Sequence, residues 1–197
     1  MLDEKTLNDF IKEVNDAYLV FCVWKHTHNK LYITSEKWLI PAEGWQNLKV
    51  PKFGNFWRVV SVSLQDMWIL STARLFDKAH FNNDKTKPAR LSIYYLLELL
   101  NDKIFEEKIK LQLKNHKIYT DSIRECRDNF LAHKSVNVKM EKIREGIENF
   151  FEELNKVISE IKDKETHLKS CNDIGFQDIE KSCEDNVEKI LQTLLKN

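Results

Sequence analysis

Apolar residues recur at alternating three- and four-residue spacing from the start of the chain. Leu7, Phe10, Val14, Ala17, Phe21 and Trp24 mark one face of an amphipathic helix over residues 3–28. Residues 29–54 break the period. Pro41, Gly44, Pro51 and Gly54 punctuate this segment, with Trp38 and Trp45 between them. They predict an irregular loop pinned by its own aromatics, with a short strand or a turn of helix. Residues 55–77 are apolar on most sides (Val59, Val60, Val62, Leu64, Met67, Trp68, Ile69, Leu70), the pattern of a central, buried helix. A polar loop over 78–88 leads to a third helix over 91–113, started near Ser92. Tyr119, Ile123, Cys126 and Phe130 form the inner stripe of a fourth. Met140, Ile143, Ile147, Phe150, Leu154, Val157 and Ile161 give the cleanest helical period, over 138–161. Gly146 lies at the edge of that stripe, where a glycine costs helix stability but lets another backbone approach closely. A polar connector over 162–175 ends at Gly175. A last amphipathic helix follows, with Ile179, Cys183, Val187, Ile190 and Leu194 inward.

The pattern predicts an all-α fold, a single bundle of about five to six helices over residues 1–161. Residues 162–197 then supply the connector and a C-terminal amphipathic helix that packs on the bundle or on a partner. Composition agrees: 4 Gly and 3 Pro are too few for the turns of an all-β chain, and 5 Trp with 11 Phe argue against disorder. The four cysteines (Cys22, Cys126, Cys171, Cys183) form no C-x-x-C pair and imply no disulfide framework, which fits a reducing cytoplasm. Cys126 falls at an apolar helical position, as a buried thiol does. The first residues do not read as a signal peptide, and the longest apolar run, residues 17–24, is too short to span a bilayer. A soluble cytoplasmic protein without a membrane partner is expected.

Formal net charge is +0, but the charge is unevenly spread. Residues 108–144 carry ten Lys and Arg against four Asp and Glu; residues 145–197 carry seven against thirteen. The basic stretch suits a polyanionic ligand held locally, or else forms a solvated helix face beside an acidic one.

Chemistry concentrates inside that basic stretch. Arg127-Asp128-Asn129-Phe130-Leu131-Ala132-His133 places an arginine and a histidine six residues apart, late in the fourth helix. A guanidinium holds a phosphate through paired hydrogen bonds, and an imidazole moves protons near neutral pH. Asp128 can orient a base or a 2′-hydroxyl, Asn129 adds a donor and an acceptor, and the small Ala132 leaves room for a ligand. Arg124, Lys134 and Lys139 lie around the pair. Arg74 and His80 share the same spacing, but Leu75 and Phe76 follow Arg74 and look like core, which reads Arg74 as pairing with a carboxylate inside the bundle. On a continuous α-helix Arg127 and His133 stand about 120° apart. Function then needs the helix to loosen near Ala132, or two protomers to share one cleft. Otherwise Arg127 pairs with a carboxylate such as Asp128 or Asp121, and His133 is a hydrogen-bonded core histidine. Asp66 and Asp77, on or at the end of the second helix, are more distant candidates to partner Arg127, or serve in capping and salt bridges.

Other signals are weaker. Cys22 and His26 lie one helical turn apart with His28 beyond, but a zinc site needs a fourth group and none is near in sequence. No metal or cofactor is expected, and the absence of a glycine-rich phosphate loop gives no indication of P-loop ATP hydrolysis. The Trp38/Trp45 loop can stack bases or pack over the core.

The segment from Ser71 to Asp77, a polar loop, a helix, and then Ile123 to His133 with its Arg-polar-x-x-x-Ala-His pattern resembles the HEPN superfamily (higher eukaryotes and prokaryotes nucleotide-binding). Within it the chain looks most like the AbiU-type abortive-infection branch. The resemblance covers roughly residues 5–160, and 165–197 have no counterpart in it. It implies a metal-independent endoribonuclease, a toxin or phage-defence effector, working as a homodimer with the site at the dimer interface. Carried over by position, Arg127 is the catalytic arginine, His133 the catalytic histidine and Asp128 the polar residue that positions His133 or the sugar. Arg124, Asn129 and Lys134 become RNA-binding residues, and an antitoxin or other protein is a further partner. The alternatives are a non-catalytic HEPN-like dimer that binds a nucleotide or a protein, and a helical interaction protein working through its acidic C-terminal segment.

Overall fold

In a computed structural model, residues 1–31, 54–80, 84, 86–131 and 146–195 are described. Among them the structure is all helical, with no strand. There are seven α-helices: α1 (Glu4–Leu31), α2 (Gly54–Leu75), α3 (Ile93–Leu100), α4 (Lys103–Lys114), α5 (Lys117–Glu125), α6 (Ile147–Lys164) and α7 (Phe176–Leu195). A π-helical turn, Cys126–Leu131, continues α5, and a 3₁₀ turn, Thr166–Leu168, follows α6. Met140, Ile143 and the Trp38/Trp45 loop lie outside the described residues.

The extra helix has a local cause. The single helix expected over 91–113 divides at Asn101-Asp102. Ser92 caps α3 as expected, its hydroxyl accepting from the Tyr95 N–H at 3.4 Å. Asn101 then turns left-handed (φ 52), a conformation asparagine tolerates better than most residues. Asp102 starts α4 by accepting from the Phe105 N–H at 3.0 Å.

The chain folds as two compact units, each taking residues from both α1 and α2. The first holds Met1–Val14 and Leu70–Ile174. Its core is built from the inward stripes of α3 to α6: Leu96, Leu97, Ile109, Tyr119, Ile123, Phe150, Leu154, Val157 and Ile161 are buried. Phe150 is the hub, with Phe76 edge-on at 5.5 Å and Tyr119 at 5.2 Å. The segment after α6 fastens the N-terminal turn of α1: Asn172 N–H donates to Asn8 Oδ1 at 2.9 Å, and His167 Nε2 lies 3.2 Å from the Leu2 carbonyl.

The second unit holds Asn15–Ile69 and Gly175–Asn197. Here α7 packs on α1. The Tyr18 and Phe176 rings lie 4.4 Å apart, and Glu180 accepts from Lys25 Nζ at 2.9 Å and from the Tyr18 hydroxyl at 3.3 Å. The Lys25 ammonium holds the Glu180 carboxyl below its ordinary value. Phe21 and Trp24 close on Trp68 at 5.7 and 5.6 Å.

Not every expected core position is inside. The α1 stripe is buried throughout, but α2 is not covered all round: Phe56, Val59 and Met67 are more than half exposed. Its inward side runs Ser61, Gln65, Trp68, Thr72, at helical spacing, so period rather than mean apolarity chooses the buried face.

Gly146 precedes α6 with an ordinary backbone (φ −107), so its value is space. A Cβ there would meet Tyr119 Cβ and its ring at 3.0 Å, a side chain approaching where another backbone was expected. Tyr119 is buried in the core and cannot give way. Gly146→Ala is therefore expected to cost about 1–3 kcal/mol in urea unfolding; an unchanged midpoint would contradict the close approach. The Tyr119 hydroxyl has no hydrogen-bond partner among the described residues, and burial pushes its pKa well above the ordinary value. Tyr119→Phe removes that unsatisfied group, so thermal melting should show equal or higher stability. A drop of several degrees would mean that the hydroxyl is bonded.

Candidate functional site

The site lies within the first unit, where the end of α2 meets the end of α5. Leu75 and Phe76 anchor the end of α2 in the core at 1% and 2% exposure. A turn closed by Asp77 N–H to the Arg74 carbonyl at 3.3 Å then leaves Asp77 beside the core, its side chain only 10% exposed. A carboxylate this buried needs charged partners. It has two. Asp77 Oδ1 accepts from Arg127 Nη1 at 2.7 Å, and Asp77 Oδ2 accepts from Arg90 Nη1 at 3.1 Å.

Arg127 sits in the π-helical turn. Buried Ile123 and Cys126 fix the inward side of α5 and of that turn, and Arg127 comes next to them. A π turn widens the backbone hydrogen-bond register, shifts the phase of every side chain beyond it, and occurs often at functional sites. The helix thus departs from α geometry at Cys126, earlier than the loosening near Ala132 that function was expected to need.

Asp128 Oδ1 accepts from Arg127 Nε at 2.7 Å, so the guanidinium is held from two sides. The Asp128 hydrogen bond, and then Asp77, raise the Arg127 pKa above its ordinary value. Arg127 Nη2 makes no hydrogen bond among the described residues, which leaves its two N–H groups for a ligand.

A cleft of about 760 Å³ opens here, lined by Arg74, Asp77, Arg90, Leu91, Arg127 and Asp128 among others. Three arginines against two aspartates give it a positive balance and the planar donors that suit a phosphate. Arg74 corrects the expectation of an ion pair inside the bundle. Its side chain is 67% exposed, its contact with Glu13 is long at 4.0 Å, and it belongs to the cleft. His80, at the same spacing from Arg74 as His133 from Arg127, pairs with Glu98 at 3.4 Å.

The structure brings Arg127 and Asp128 together. Arg124 is diverted: it donates to the Phe76 carbonyl, lies 4.9 Å over the Phe76 ring and lines a neighbouring cleft. Asn129 falls within the π turn. His133, Lys134 and Lys139 lie outside the described residues. Asp121 pairs with Lys117, not with Arg127. Arg90 carried no signal in the sequence, because an arginine between a polar loop and the start of a helix belongs to no periodic stripe.

No three His, Cys, Asp or Glu side chains converge as metal ligands among the described residues, Cys22, His26 and His28 included. Burial pushes the Cys22 thiol up to about 12, and the His28 ring stacks on Trp24 at 5.2 Å. No helix of the described residues is long and apolar enough to cross a membrane.

No curated protein and no solved structure matched the chain. A family model did match, described as AbiU2 and covering residues 8–171, which spans both the end of α2 with Asp77 and the turn with Arg127. The chain belongs to this AbiU2 family of HEPN domains.

Proposed function

We propose that the chain is a metal-independent endoribonuclease of the HEPN type, acting in the cytoplasm as an abortive-infection effector. The observation that carries the reading is Arg127, fixed by Asp77 and Asp128 in a basic cleft with Nη2 left to donate. In this reading RNA lies with its scissile phosphate against Arg127. His133 takes the proton of the adjacent 2′-hydroxyl, and the 2′-oxygen attacks phosphorus. The bond to the 5′-oxygen breaks, a 2′,3′-cyclic phosphate forms, and the leaving oxygen takes a proton from an acid such as the His133 of a second copy. Arg127 stabilises the charge that builds on the phosphoryl oxygens. Requiring the 2′-hydroxyl selects RNA over DNA. Asp128 holds the Nε side of Arg127 and so sets which edge of the guanidinium meets the phosphate. Two copies of the chain bring two such clefts together, and an antitoxin or other protein covers them when the enzyme is silent.

A second reading has its own support. Arg127 already holds two carboxylates, as a structural arginine does. The chain would then be a non-catalytic dimer whose cleft binds a nucleotide or a protein partner.

Cleavage of single-stranded RNA by the purified chain in excess chelator separates the two, with oligomeric state measured on the same samples. Wild type should cleave as a dimer. Arg127→Ala and His133→Ala should each lose about 10²-fold or more in rate while their circular dichroism is unchanged. Full activity in both variants would overturn the ribonuclease reading. Nucleotide binding without turnover, weakened by Arg127→Ala, would establish the second.

A further inference from the structure

A second cleft, of about 630 Å³, adjoins the first within the same unit. Lys78, Tyr94, Asn101, Lys103 and Arg124 line it. The two clefts share a wall. Asp77 lines the first, while Lys78 and Ala79, next in sequence, line the second. Across the wall, Arg90 N–H donates to the Ala79 carbonyl at 2.7 Å. On the helix, Arg127 lines the first cleft and Arg124, one turn earlier, the second.

Of the cations that line the second cleft, Lys110 is paired with Glu106 and Glu107, while Lys78, Lys103 and Arg124 are less committed. Lys78 and Lys103 are exposed and make no hydrogen bond or ion pair among the described residues. Arg124 is seated on the Phe76 ring and held by the Phe76 carbonyl, and Asp121 reaches its Nη1 only at 4.0 Å. The carboxylates that line the cleft are already engaged, Glu98 by His80 at 3.4 Å and Glu106 by Lys110 at 2.7 Å. Tyr94, half-buried, offers a ring beside these charges. Exposed cations with little commitment to carboxylates, in a cleft beside an aromatic face, are what single-stranded nucleic acid binds: the cations meet phosphates and the ring stacks a base.

We propose that this second cleft binds the nucleotide next to the scissile one in the same RNA strand. Lys78, Lys103 and Arg124 hold its phosphate and Tyr94 stacks its base. The inference rests on the reading of the first cleft as an RNA site and adds a register: the strand crosses the wall formed by residues 76–79. It also gives Arg124 a role distinct from that of Arg127, binding a flanking phosphate and not the reacting one.

The test is binding of a fluorescein-labelled 2′-O-methyl oligouridylate, which lacks the reacting hydroxyl, followed by anisotropy over a salt series. Lys78→Ala/Lys103→Ala should bind roughly tenfold more weakly at low salt, and the slope of log K against log salt should fall by about 1.4. Lys181→Ala/Lys189→Ala removes the same charge on α7 and should bind as wild type does. Equal binding by all three proteins would overturn the proposal, as would no binding by folded wild type. Because the probe cannot be cleaved, the two claims fail separately. A chain that cleaves RNA but binds equally in all forms keeps the ribonuclease and loses the subsite. A chain that binds through Lys78 and Lys103 yet never cleaves does the reverse.

Discussion

Asp77 is the constraint on which the first unit's chemistry depends. It sits where α2 stops, fixed by the burial of Phe76, and a carboxylate at 10% exposure is costly to bury without charged partners. It recruits Arg90 from the following loop and Arg127 from the turn after α5. One buried negative charge therefore positions two positive ones at the rim of a cleft. Taking away either partner of such a pair leaves an uncompensated charge, which is costlier than the net worth of the pair itself. The same logic places Arg124, whose guanidinium is held by the carbonyl of the neighbouring Phe76. Residues 76–78 thus set the positions of cations in both clefts.

The fold was legible where periodicity carried it. Leu7, Phe10, Val14, Ala17, Phe21 and Trp24 are all at 1% exposure or less, because a stripe at three- and four-residue spacing has only one way to be buried on a helix. The break at Asn101-Asp102 has a basis in the sequence, an asparagine that tolerates the left-handed turn followed by an aspartate that caps a helix, but the Leu and Ile on both sides mask it. On α2 the high apolar content hid the period, and the inward side proved to hold Ser61, Gln65 and Thr72.

The site was legible in part. Arg127 and Asp128 stand together at the cleft, and Asp77 was among the candidate partners of Arg127. Arg74 was misread from Leu75 and Phe76, yet residues one or two apart on a helix point in different directions, so core neighbours say little about it. The π turn had no signature, since the sequence does not state which carbonyl an N–H will choose. Membership of the AbiU2 family, matched over residues 8–171, covers both ends of the Asp77–Arg127 pair and gives that long-range contact its context.

The most direct test of this account is a double-mutant cycle on that pair. Unfolding of wild type, Asp77→Ala, Arg127→Ala and the double variant should be followed in urea. The account predicts a coupling of about 1 kcal/mol or more, with the double variant losing clearly less than the two single losses combined. Additivity within about 0.5 kcal/mol would contradict it: Asp77 would then not hold Arg127, and the cleft would owe its arrangement to something else.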